Sequence, residues 1–90
     1  MRLIWRAKAR DDYRRIIDYI SARNPAGAEK IAGLIAGSIE RMLAFPYLYR
    51  PGRVPGTREA VVHPNYIVVY QVGDDFIRML AILHARQKYP

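Results

Sequence analysis

The segment RPGRVPGTRE, residues 50–59, sets Arg50, Arg53 and Arg58 among two prolines and two glycines. Guanidinium groups on so stiff a loop form a positive rim suited to phosphate or carboxylate, which an arginine fork grips bidentately. No acidic residue occurs between Glu40 and Glu59, so nothing inside the segment offsets that rim. Proline-glycine pairs also mark plain turns, and this loop must carry the chain from a helix to a strand in any case. It is expected to do both, connecting two parts of the fold and binding an acidic partner. A more active chemistry, cleavage of RNA through its 2′-hydroxyl, needs one group to take the hydroxyl proton and another to protonate the leaving oxygen. It also needs cations for the phosphorane charge. The residues available for it are Arg58, Arg78, Arg86, His63, His84, Glu59 and Tyr89. His84 shares the even-numbered face of its strand with Phe76, Arg78, Leu80 and Ile82, a position that also suits a hydrogen-bonded residue at the edge of a core. Tyr89 stands one residue from the end, where chains fray unless docked. His63 precedes Pro64 in a turn and reads as a solvated loop residue.

The whole chain carries a formal charge of +7 on 90 residues, with fifteen basic side chains against eight acidic ones. Such a field draws in polyanions: nucleic acid, an anionic membrane face or an acidic protein. Twelve of the basic residues are arginines, a bias that a GC-rich genome would also produce, so charge alone names a partner class and no more. There is no cysteine, hence no disulfide framework, and MRLIWRAKARDD lacks the apolar stretch of a secretory leader, so a cytoplasmic protein is expected. The longest apolar runs, such as MLAIL at 79–83, fall far short of a membrane span. Neither a cofactor nor a metal is expected. Ninety residues suffice for one domain, 1–90, and a core this small leaves partner dependence open.

These residues need a scaffold, and the apolar spacing supplies one. RLIWR at 2–6 suits a short opening strand. From Ala9, the positions Ala9, Tyr13, Ile16, Ile17 and Ile20 fall on one face of a helix, with Asp11 and Asp12 expected in its first turn, where the helix dipole favours anions. Asn24-Pro25 restarts a second helix, since asparagine caps an N-terminus and proline is tolerated at the first helical position. Its inner face reads Ala28, Ile31, Ala32, Ile35, Ile39, Met42 and Leu43, and Pro46 forbids its continuation. The small residues Ala32, Gly33, Ala36 and Gly37 predict close approach to a neighbouring element. After the basic loop, strands are expected over 58–63, 66–72 and 76–84, an antiparallel meander whose middle strand, YIVVYQV, is apolar on both faces and so central. Arg58 and Glu59 then point to opposite faces, and only one should reach the loop. The order β-α-α-β-β-β describes an α+β domain, a helical hairpin packed on a small, mainly antiparallel sheet.

The opening strand with Trp5, the hairpin with its Tyr19-Ile20 and Asn24-Pro25 joints, the loop RPGRVPGTRE, the strand YIVVYQV and the ending LHARQKYP together resemble the RelE/ParE superfamily of bacterial toxins. The likeness covers essentially the whole chain. GRVPGTRE, and LHARQ with its following aromatic and proline, are most similar to the ParE, or plasmid-stabilisation, branch. The resemblance implies a type II toxin, held in a hetero-oligomer by a cognate antitoxin whose extended, partly disordered segment wraps and silences it. In the ParE branch the target is DNA gyrase, reached by protein–protein contact without an active site; in the RelE branch it is mRNA in the ribosomal A site. The RelE-like pattern of a strand arginine and a tyrosine or histidine near the C-terminus would fall on Arg78, His84 and Tyr89. The lysine-rich positions that support catalysis in RelE have no match among three lysines here, so that catalytic set belongs to the alternative reading. A non-toxic member that only binds antitoxin is a further alternative. The expected partner-binding residues are Arg50, Arg53, Arg58 and Arg86. A plain nucleic-acid-binding domain is disfavoured, because Tyr66 and Tyr70 share one face of the central strand, where packing explains them.

Overall fold

The computed structural model, in which residues 1–87 are described, orders its elements as β1 (Arg2–Trp5), α1 (Ala7–Ser21), α2 (Pro25–Ala44), β2 (Arg50–Pro51), β3 (Thr57–His63), β4 (Tyr66–Val72) and β5 (Phe76–His84). The five strands form one sheet in the order β1-β5-β4-β3-β2. Strands β3, β4 and β5 are the expected meander, and β1 lies parallel to β5 because the helical hairpin intervenes as a crossover. The apolar β4 is central, and Val68, Val69 and Tyr70 at its middle are buried.

Both helices lie on one face of the sheet. Ala9, Tyr13, Ile16, Ile17 and Ile20 of α1 and Ile31, Ile35 and Met42 of α2 close over Val68, Tyr70, Ile77, Met79 and Ile82. Helix α2 starts where the sequence says it should: the Asn24 side chain accepts a hydrogen bond from the Gly27 N–H at 3.0 Å, with Pro25 in the first turn. It ends at Ala44, ahead of Pro46. The opposite face of the sheet carries no second helical layer among the described residues.

Four local features depart from the sequence reading. Helix α1 begins at Ala7, so Asp11 and Asp12 lie in its second turn, beyond the reach of the dipole, and Asp12 is buried. Only half of the small-residue stripe of α2 is covered: Ala32 and Gly37 are half-buried, whereas Gly33 and Ala36 are exposed, and a side chain at Gly33 would meet nothing within 4 Å. The basic loop contains a two-residue strand, β2, in which Arg50 pairs with Glu59 and Pro51 with Arg58. Between β2 and β3 the chain reverses through Gly56, whose φ of 85° is the left-handed conformation that glycine adopts without strain. Finally, β5 is not a regular strand. Val69 pairs with Ala81 but Tyr70 with Met79, so Leu80 is an extra residue, a β-bulge.

Candidate functional site

The bulge decides where the chemistry-bearing residues go. Side chains alternate across a strand, so on β4 the residues Tyr66, Val68, Tyr70 and Val72 face the helices, and their partners in β5 are His84, Ile82, Met79 and Ile77. Arg78 pairs with Gln71 on the open face instead. An unbroken alternation would have put Arg78 and His84 on the same face; the extra residue at Leu80 switches the parity between them and sets them on opposite faces. The Arg78 guanidinium donates to Gln71 Oε1 at 3.1 Å and lies 4.7 Å from the Phe76 ring centroid. His84 stacks edge-on against Tyr66 with centroids 5.6 Å apart, and its Nδ1 accepts the Arg86 N–H at 3.2 Å. His63 stands in the same aromatic row, 6.0 Å from Tyr66, with its Nδ1 taking the Asn65 N–H. Tyr89 lies outside the described residues.

The loop arginines gather at the other end of β3 from Arg86. Arg50 forms an ion pair with Glu59, Nη2 to Oε1 at 2.9 Å, and the Arg53 backbone N–H reaches the second carboxylate oxygen at 3.4 Å. Glu59 is thus the buried carboxylate that fastens the loop to the open face. From the opposite face Arg58 donates to the Tyr49 carbonyl at 2.7 Å and the Tyr47 carbonyl at 3.4 Å. Both residues therefore reach the loop, contrary to the expectation that only one would, because the chain at 47–56 folds around the β3 edge and meets both sides of it. Arg86, exposed in the turn after β5, is not part of this group. The four arginines expected to bind a partner therefore form a cluster of three and an outlier.

Two concavities flank the sheet. On the open face a groove of about 310 Å³ has Val69, Leu80, Ala81 and Leu83 along its floor, with Val54 of the basic loop on one wall and Arg6 and Lys8 on the other. On the helix side a cleft of about 420 Å³ lies between Arg15, Ile16 and Tyr19 of α1 and the Tyr66–His84 pair. Among the described residues no three histidines, aspartates or glutamates converge as metal ligands do, and no helix is long and apolar enough to cross a membrane.

Three ionisable arrangements were not legible in the sequence. Asp12, 2% exposed, binds Lys8 Nζ at 2.8 Å and Arg15 Nη2 at 2.8 Å, and accepts the Ile82 backbone N–H at 3.0 Å. Burial pushes its carboxyl up, but Lys8, the Ile82 amide and Arg15 together outweigh that and hold it below the ordinary 3.8. Lys8 and Arg15 at i−4 and i+3 were the available signal. The second arrangement is the Glu59 clasp. The third is Tyr70, fully buried, whose hydroxyl donates to the Pro46 carbonyl at 2.7 Å; burial raises its phenol above 10.0 despite the nearby Arg58 charge.

Comparison with known proteins agrees with this architecture. A family profile described as the ParE toxin of the type II toxin–antitoxin system parDE matches residues 3–89. Y4kP from Sinorhizobium fredii is 30% identical over 90 residues, covering 99% of this chain and 93% of that protein. Toxin RelE2 from Caulobacter vibrioides is 29% identical over 85 residues, covering 92% and 93%. A solved structure from the chromosomal ParDE toxin–antitoxin system of P. aeruginosa superposes with a TM-score of 0.78 at 26% identity, over 93% of this chain and 95% of that one.

Proposed function

This chain belongs to the ParE family of type II toxin–antitoxin toxins, and on that premise we propose that it arrests growth by contacting DNA gyrase in the cytoplasm rather than by cutting RNA. The observation that carries the reading is the separation of Arg78 from His84 by the bulge at Leu80. General acid–base cleavage needs its proton acceptor, donor and cation within hydrogen-bond reach of one phosphate. Here a sheet stands between the strand cation and the histidine, and each already has a partner within the domain. Arg78 is spent on Gln71, and His84 on Tyr66 and the Arg86 amide.

What the surface offers instead is contact. The open-face groove joins an apolar floor to a wall carrying Arg6 and Lys8, and Arg50 and Arg53 lie on the loop whose Val54 forms the other wall. Such a surface suits an amphipathic, acidic segment that folds on binding, the manner in which a partly disordered antitoxin would silence this chain. A protein target such as gyrase would be met through the same kind of contact, with no bond broken by the toxin itself.

Substitution at the two separated residues tests this directly. Induced without antitoxin, the Arg78→Ala and His84→Ala variants should each arrest growth as the parent does, with folding checked by circular dichroism. Loss of arrest in both variants, with the fold intact and transcripts cut only by the parent, would replace gyrase with a ribosomal target.

A further inference from the structure

The turn between α2 and β2 displays its large side chains to solvent. Phe45 and Tyr47 are each 66% exposed and Leu48 is 56% exposed, three such residues within four positions. The other exposed large apolar residues, Met1, Leu3, Tyr19, Val54 and Val61, stand singly along the chain. Isolated apolar side chains at a surface need no explanation, whereas a contiguous set marks a contact. The turn is also held rigid from below by residues of the sheet and of α2. The Tyr70 hydroxyl binds the Pro46 carbonyl, Arg58 binds the Tyr47 and Tyr49 carbonyls, and Arg41 Nε binds the Tyr49 hydroxyl at 2.9 Å. Anchors fixed before binding lose little conformational freedom when they bind.

The charge around the turn selects its occupant. Arg41 and Arg58 donate to neutral acceptors, a phenol and two carbonyls, so no carboxylate among the described residues offsets either guanidinium. Arg58 also lies 4.7 Å from the Tyr47 ring centroid, which covers one face of that ring against a stacking nucleobase. Apolar anchors within a positive field, with one face of the ring already occupied, favour a protein segment of opposite charge over nucleic acid.

We propose that Phe45, Tyr47 and Leu48 anchor an acidic, amphipathic segment of the cognate antitoxin, as a second seat distinct from the open-face groove. Arg58 projects to the helix side of β3 while Glu59 and the groove lie on the other, so a segment occupying both seats passes around the β2 edge. This deepens the antitoxin part of the function proposed above and rests on it.

The test compares the full-length chain with a Phe45→Asp/Leu48→Asp variant, titrated with the purified cognate antitoxin by calorimetry and assayed in parallel for inhibition of gyrase supercoiling. Tyr19→Ser, which removes a side chain 58% exposed on α1, is the control. Because all three sites are exposed, the variants should melt as the parent does. The double variant should lose roughly a hundredfold in antitoxin affinity, as expected when a pair of buried anchors is removed, while keeping its gyrase inhibition; Tyr19→Ser should bind within threefold of the parent. Antitoxin affinity unchanged in the double variant overturns the inference, and if gyrase inhibition is what falls, the turn belongs to the target. A parent chain that binds no antitoxin, or inhibits no gyrase, would instead refute the functional reading beneath it.

Discussion

Replacing Asp12 by alanine removes the acceptor for a backbone amide that no strand can satisfy. Strand β1 ends at Trp5, opposite Met79, and beyond that point the outer edge of β5 has no neighbour, so the Ile82 N–H turns to the Asp12 carboxylate at 3.0 Å. A buried amide left without a partner costs about 1–3 kcal/mol. The two ion pairs add less, because Lys8 and Arg15 are more than half exposed and helix-spaced pairs of that kind contribute about 0.3–0.5 kcal/mol each. Asp12→Ala should therefore destabilise by about 2–4 kcal/mol, a fall in Tm of roughly 10–25 °C in a domain of this size. Asp12→Asn keeps an oxygen for Ile82 and loses only the charge, so about 1 kcal/mol is expected. The pH dependence has a definite sign. The carboxyl is held below 3.8, so its contribution is complete above that value and is lost as pH falls through the folded-state pKa. Thermal melts followed by circular dichroism should show a parent-to-Asn gap that is constant from neutrality to about pH 5 and narrows with further acidification. An alanine variant that melts within about 3 °C of the parent, or no gap between alanine and asparagine, would refute the assignment.

Two further outcomes follow from the contacts that hold the basic loop. Tyr70→Phe should cost about 1–2 kcal/mol by leaving the Pro46 carbonyl unpartnered. Because burial raises this phenol, its bond persists below pH 10 and is lost as pH rises through the higher folded-state value; alkaline melts should therefore converge for parent and variant only above that range. Glu59→Gln should weaken the clasp on Arg50 by about 1 kcal/mol and speed hydrogen exchange at the Arg53 amide, with exchange in α2 unchanged; equal acceleration in both would mean that the clasp is not local.

The helices and the central strand were legible because they follow from periodicity and from backbone chemistry at Asn24-Pro25 and Pro46. What escaped the sequence was what depends on neighbours. FIRMLAILH reads as one regular strand, and nothing in it marks Leu80 as the bulge; apolar residues stand on both sides, so parity can slip there without exposing the core. That slip decides whether Arg78 and His84 share a face of the sheet. Asp12 was assigned to the dipole of a first turn because a helix boundary is uncertain by a residue or two, whereas its real partners come from α1 and from β5, seventy positions away. The small residues of α2 suggested close packing, yet composition does not say which face of a helix meets a neighbour. The positive loop was visible, but not that Glu59 anchors it from one face of the sheet and Arg58 from the other.

Supercoiling of relaxed plasmid by purified gyrase, titrated with this chain freed of antitoxin, tests the central claim most directly. Inhibition or trapped cleaved plasmid at stoichiometric toxin, reversed by antitoxin and accompanied by intact mRNA in a parallel translation reaction, is the expected result. Normal supercoiling together with cut mRNA would contradict the account.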